Sequence, residues 1–143
     1  MSDESRSQFV DTNILVYAYD VSAGKKHDTA KALIQSLWQS RLGYLSLQVL
    51  QEFYVTVTRK VPSPYLPEEA ANIIDDLSVW QIHSPTANDV LEAIKLQTRY
   101  QFSFWDAMIL QSANVLGCEV VWTEDLSHGQ TINQTLIRNP FIF

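Results

Sequence analysis

Apolar and polar positions along this 143-residue chain follow two alternating rhythms. The stretch "FVDTNILVYAYD", Phe9 to Asp20, starts apolar, breaks at Asp11, Thr12 and Asn13, and turns apolar again. Residues 7–11 read as a short strand, and Ile14 to Tyr17 read as the start of a buried helix. The polar triplet therefore sits at a strand's carboxyl end, where open α/β sheets bind ligands. Ala30, Leu33, Ile34, Leu37 and Trp38 recur at helical spacing within 25–41. "GYLSL", 43–47, is a short strand opened by Gly43. Leu50, Phe53, Tyr54 and Val57 mark a helix over 48–60. "VPSPYLP", 61–67, is a breaker cluster, and Pro67 suits the first turn of a helix running to about Val79, with Glu68 and Glu69 at its positive dipole end. "WQIHS" is a strand candidate. Residues 86–100 form an amphipathic helix, and 104–117 form another, closed by Gly117. "CEVVW", 118–122, is a buried strand, and "TLIRNPFIF" holds a last one. Strands alternating with helices imply an α/β domain with a parallel sheet covered on both faces. No repeat, low-complexity tract or linker divides it, so residues 1–143 are expected to form one domain.

Composition is that of an ordinary globular chain, 46% apolar and 18% charged. No apolar run approaches the roughly 18 residues of a membrane span. The polar start "MSDESRSQ" lacks the apolar core of a signal peptide. The lone Cys118 has no partner for an internal disulfide and opens a buried strand, which makes it a core residue rather than a nucleophile. A soluble, cytoplasmic protein is expected. The net charge of −6 excludes the strongly basic profile of a passive nucleic-acid binder. It does not exclude a nuclease. Of 16 acids, four set aside around metal ions leave 12 against 10 bases.

Four acids lie where strands end or helices begin. Asp11 follows the first strand, and on its own it suits the N-cap of the next helix. Glu52 lies roughly opposite the apolar stripe of its helix, the position of a solvated glutamate. Asp106 shares a stripe with Ile109, Leu110 and Ala113, and a carboxylate on an apolar face is costly unless paired, hydrogen-bonded or metal-bound. A capping box with Ser103 as N-cap accounts for it equally well. Asp125 sits in "TEDLSHG" after the strand 118–122, as a turn residue or as a second acid at a strand's carboxyl end. In a parallel sheet these ends share one rim. Unpaired carboxylates gathered there would repel each other, and Mg²⁺ or Mn²⁺, which prefer oxygen ligands, relieve that repulsion.

Other chemistries are poorly supported. His27, His83 and His128 have no zinc-type spacing. There is no GxGxxG, GxxxxGK[ST] or GxSxG, and four glycines leave little for a backbone phosphate cradle.

The stretches "FVDTNILVYAYD", "LSLQVLQEFYVTVTRK", "FSFWDAMILQSANVLGCEVVWTEDLSHGQ" and "IRNPF", in that order across almost the whole chain, resemble a PIN-domain ribonuclease of the small bacterial VapC type. The resemblance implies a single-domain three-layer α/β/α fold with a central parallel sheet of about five strands and an acidic set of Asp11, Glu52, Asp106 and Asp125, and it promotes Glu52, which periodicity does not. It implies Mg²⁺- or Mn²⁺-dependent endonucleolytic cleavage of RNA, with Thr12, Asn13, Ser103 and Thr123 orienting the acids or bound water. Asp125 is preferred over Glu124 because it completes a Thr123-x-Asp125 pattern. The family also implies a homodimer and, for toxin members, an antitoxin partner. Arg59, seven residues beyond Glu52 on the same helix face, is a candidate phosphate contact, although a cation there also suits the helix dipole. Trp38, Tyr54, Trp80 and Trp105 serve either an interface or the core. Three rival readings are a phosphatase with Asp11 as nucleophile, weakened by Asn13 where a second Asp is wanted, a receiver-like or degenerate PIN module that binds Mg²⁺ and a partner without catalysis, and a structure-specific DNA nuclease, for which the chain is short.

Overall fold

The computed structural model describes residues 6–142. The polar start is thus described only from Arg6 onward, and its first five residues lie outside the described region. Six strands alternate with six helices: β1 (Gln8–Val10), α1 (Thr12–Tyr19), α2 (Lys25–Ser40), β2 (Gly43–Ser46), α3 (Leu47–Arg59), α4 (Pro67–Leu77), β3 (Gln81–His83), α5 (Ala87–Tyr100), α6 (Phe104–Val115), β4 (Val120–Trp122), β5 (Thr131–Ile132) and β6 (Thr135–Arg138). A single 3₁₀ turn, Val21–Ala23, joins α1 to α2.

The sheet order is β3-β2-β1-β4-β6-β5. The first five strands in that order are parallel, and β5 pairs antiparallel with β6. The expectation of about five strands misses β5. Its hairpin turns through Asn133 and Gln134, both at positive φ (48° and 74°), the backbone of a type I′ turn. Gln in place of the usual Gly conceals that turn in the sequence.

The chain leaves β1 toward β2 and β3, then crosses back to place β4 on the other side of β1. Right-handed crossovers send the helices of the outward steps, α1–α4, to one face, and those of the return step, α5 and α6, to the other. The order in which strands are added reverses between the parallel β1 and β4, which opens a crevice at the carboxyl ends of these two strands.

The core beneath that crevice is apolar. Phe9, Val10, Ile14, Leu15, Phe53, Leu110, Val120 and Val121 are fully buried. Helix α6 departs from the amphipathic expectation, since every residue from Ala107 to Ala113 is buried. Its polar members are paired. Gln111 donates to Asp89 on α5 (3.1 Å), and Ser112 bonds His83 Nδ1 (2.8 Å), whose Nε2 lies 3.1 Å from the Asp89 carboxylate. This network satisfies polar groups that would otherwise be costly to bury.

Gly43 shows a close approach that no side chain allows. A Cβ at that position would lie 2.5 Å from the Trp80 ring, and Trp80 itself packs edge-on against Trp38 (5.4 Å). Trp80 is therefore core, whereas Trp38 is partly exposed. Gly43→Ala is expected to cost about 1–3 kcal/mol through overpacking, read as a lower urea midpoint with an unchanged slope.

Candidate active site

Each site residue is placed by an element end. Asp11 closes β1 and caps α1: its Oδ1 accepts from the Thr12 backbone N–H (2.6 Å), and its Oδ2 accepts from Thr123 Oγ1 (2.8 Å). The cap role and a place in the acidic cluster thus coexist. The Thr123 hydroxyl also accepts from the Asp125 backbone N–H (3.2 Å), which turns the chain after β4 back toward β1. Asn13 Nδ2 donates to Asp125 Oδ2 (2.8 Å). Ser103 is the N-cap of α6 and accepts from the Asp106 backbone N–H (3.1 Å). The return half of the expected capping box does not form, because the Asp106 carboxylate bonds no protein donor among the described residues.

The result is a cluster. Asp11, Asp106 and Asp125 each offer one oxygen, and these oxygens all lie within 4.8 Å of one another. Asp11 is 5% exposed, Asp106 is half-buried and Asp125 is exposed. Burial pushes the Asp11 carboxyl up from 3.8 to about 7. Hydrogen bonds from Thr123 and Thr12 oppose that rise, and the charges of Asp106 and Asp125 add to it. Asp125 is also raised, first by burial and then by Asp106 and Glu124. Such a set is strained by its own charge and is relieved by a cation.

Glu52 stands at the rim of the cluster rather than in it. Thr12 Oγ1 donates to Glu52 Oε1 (2.7 Å), so α3 is tied to the start of α1. The polar face of α3 looks onto the crevice, which is why a residue opposite the apolar stripe is half-buried rather than solvated. Glu124 faces elsewhere: it accepts from Tyr17 Oη and pairs with Lys26 (2.8 Å).

These residues line a groove of about 660 Å³, with Asp11, Glu52, Asp106 and Asp125 along it. The row Gln48, Glu52, Thr56 and Lys60, at i+4 spacing, forms the α3 wall. Lys60 therefore lines the groove, and Arg59, one position off the row, is exposed beside it. Sequence reasoning preferred Arg59. The i+4 row from Glu52 was the signal for Lys60. Trp105 lies on the opposite wall, 61% exposed, so it is not core.

The donor set suits a hard divalent ion. Three carboxylates converge, and the Asn13 Oδ1 carbonyl is a buried oxygen with no hydrogen-bond partner. The three converging donors are all carboxylate oxygens, the choice of Mg²⁺ and Mn²⁺ rather than zinc. The histidines are absent from the groove. Burial pushes the Cys118 thiol up to about 12, which removes it as a nucleophile.

The family model described as PIN domain matches residues 9–131, a span that holds all four acids. The chain belongs to the PIN-domain family. Solved structures resemble it over nearly their full length. Mycobacterium tuberculosis VapC20, described as a Sarcin-Ricin loop cleaving toxin, is 25% identical with a TM-score of 0.65, covering 83% of this chain and 92% of that one. A toxin-antitoxin complex from Klebsiella pneumoniae is 20% identical with a TM-score of 0.67, covering 96% and 100%. VapBC2 from Rickettsia felis, bound to a DNA fragment from its promoter, is 21% identical with a TM-score of 0.64, covering 92% and 97%. The last two likenesses concern the fold alone. No curated protein matches the chain by sequence. Among the described residues of this PIN domain, no helix is long and apolar enough to cross a membrane.

Proposed function

We propose that this PIN domain is a metal-dependent endoribonuclease, acting in the cytoplasm as the toxin of a toxin–antitoxin pair. The observation that carries the reading is the convergence of Asp11, Asp106 and Asp125 at the β1/β4 crevice. The likeness to VapC20, described as a toxin, supports the toxin role, and a toxin of that kind calls for an antitoxin partner. The whole of residues 1–143 serves as the one nuclease domain, working as a homodimer. Helix α5 leaves Val90, Leu91 and Ile94 on its outer surface, an apolar stripe suited to a second copy.

Asp11, Asp106 and Asp125 would hold Mg²⁺ or Mn²⁺, and Glu52 completes the acidic set from the rim. Bound there, the ion supplies charge stabilisation at the phosphoryl oxygens and an activated water. The protein's part is positioning. Thr123 and the Thr12 amide fix both Asp11 oxygens, Asn13 orients Asp125, and Ser103 anchors the first turn of α6 so that Asp106 meets the others. The phosphatase reading with Asp11 as nucleophile wants a second Asp two residues on, where this chain has Asn13.

The RNA backbone lies along the α3 wall. Lys60 contacts a phosphate inside the groove, Arg59 contacts one beside it, and Trp105 offers a face for a base to stack on. Lys60→Ala is expected to raise KM several-fold and to reduce the salt slope of binding by about one, with Arg59→Ala having the smaller effect. Salt titrations of RNA binding check both. The activity itself is tested with end-labelled structured RNA. Cleavage is expected with Mg²⁺ or Mn²⁺ and not with EDTA, and EDTA-resistant cleavage by the pure protein contradicts the reading.

A further inference from the structure

The acid next to Asp125 has a separate and well-built set of partners. Glu124 accepts a hydrogen bond from the Tyr17 hydroxyl on α1 and pairs with the Lys26 ammonium on α2 at 2.8 Å. The same ammonium lies 5.1 Å from the centre of the Tyr17 ring and 5.3 Å from that of Phe141. Tyr17 and Phe141 meet edge to face at 5.6 Å. The tail that carries Phe141 is itself fixed: Asn139 Oδ1 accepts from the Phe141 N–H, and the Asn139 N–H donates to His128 Nδ1. Helices α1 and α2 thus hold this carboxylate, the segment after β6 packs on the two side chains that hold it, and the carboxylate lies one residue before a member of the acidic cluster.

We infer that Glu124 is a positioning residue that sets the register of the loop after β4, so that Asp125 and not Glu124 joins Asp11 and Asp106. The inference rests on the metal-site reading of that cluster. The physical need is plain. Two consecutive acids follow β4, both drawn toward a cation, and a loop held only by the Thr123 hydroxyl and Asn13 could present either. The ion pair with Lys26 is cradled by two aromatic rings, which makes it stronger than an open surface pair. It anchors Glu124 outside the set of residues that line the groove. Asp125 then keeps its oxygen within 4.8 Å of the other two acids.

Lys26 separates positioning from simple electrostatics by sign. It is a cation beside a cation site, so its removal on charge grounds alone should tighten metal binding. If Lys26 acts by holding Glu124, its removal loosens binding instead. The test is calorimetric titration of the full chain with Mn²⁺ for wild type, Lys26→Met and Glu124→Ala. Amide hydrogen exchange across residues 123–126 of the metal-free proteins is measured alongside. The expected result is a three- to tenfold weaker Mn²⁺ affinity in both variants, with faster exchange confined to that loop. Tighter or unchanged Mn²⁺ binding in Lys26→Met, or exchange at 123–126 equal to wild type, overturns the inference. A wild type that takes up no Mn²⁺ instead overturns the metal-site reading, and the exchange data still report whether the clamp holds the loop.

Discussion

Asp106→Asn is expected to lower RNA cleavage by about a thousandfold or more while the fold survives. A thousandfold corresponds to about 4 kcal/mol of transition-state stabilisation, within what a bound ion contributes. The fold survives because the cap of α6 does not use this side chain. Ser103 bonds the residue's backbone N–H, and the carboxylate bonds no protein donor among the described residues. Two small effects on stability oppose each other. Losing a negative charge in the first turn of α6 costs about 0.3–1 kcal/mol. Relieving its repulsion with Asp11 and Asp125, which lie within 4.8 Å, returns an amount of that order. The metal-free melting temperature should therefore move by only a few degrees. The response to metal should change far more. Wild type at a hundred times its dissociation constant gains about 2.7 kcal/mol, and the variant should gain little of it. Circular dichroism melts with and without Mn²⁺ check both statements.

Asp11 yields the second large effect, through pH. Burial raises its carboxyl from 3.8 to about 7 in the native protein. Between these values the native state holds a proton that the unfolded chain has lost. Stability from this group is therefore full below about pH 4 and is lost as pH rises toward 7. Asp125, also raised, acts in the same direction. Asp89, lowered chiefly by the Thr86 backbone bond, acts in the opposite sense: its contribution is present above its unfolded value and is lost as pH falls through its lower native one. The two windows do not overlap. In the metal-free state, wild type is expected to lose stability relative to Asp11→Asn between pH 4 and 7. Saturating Mg²⁺ or Mn²⁺ at pH 7 should reverse that order, because only wild type binds the ion well. Urea midpoints of the two proteins across this range, with and without metal, test the sign. A wild type that gains stability over the variant as pH rises in the metal-free state contradicts the burial of a neutral Asp11.

Much of this architecture is legible in the sequence, for local reasons. Asp11 breaks an apolar run at a strand end, and Ser103 precedes an apolar-striped helix, so both caps could be read from spacing. The parallel sheet followed from alternation. The residues that periodicity and spacing alone do not place are those whose role is set by tertiary packing. Glu52 sits opposite its helix's apolar stripe, and only the approach of α1 brings Thr12 to it. Glu124 and Asp125 are neighbours of like charge, and the distant Tyr17, Lys26 and Phe141 distinguish them. The burial of His83, Asp89 and Ser112 depends on α5 and α6 meeting behind β3. Strand β5 was hidden because Asn133 and Gln134 take a turn conformation usually marked by glycine.

The most direct test of a metal-dependent ribonuclease centred on Asp106 is a side-by-side time course. Wild type and Asp106→Asn are given one end-labelled structured RNA across a range of Mn²⁺ concentrations. Mn²⁺-dependent cleavage by wild type, with the variant at least about a thousandfold slower at every concentration, is the predicted result. Equal cleavage by the two proteins would contradict the account, because the chemistry would then lie outside the acidic cluster.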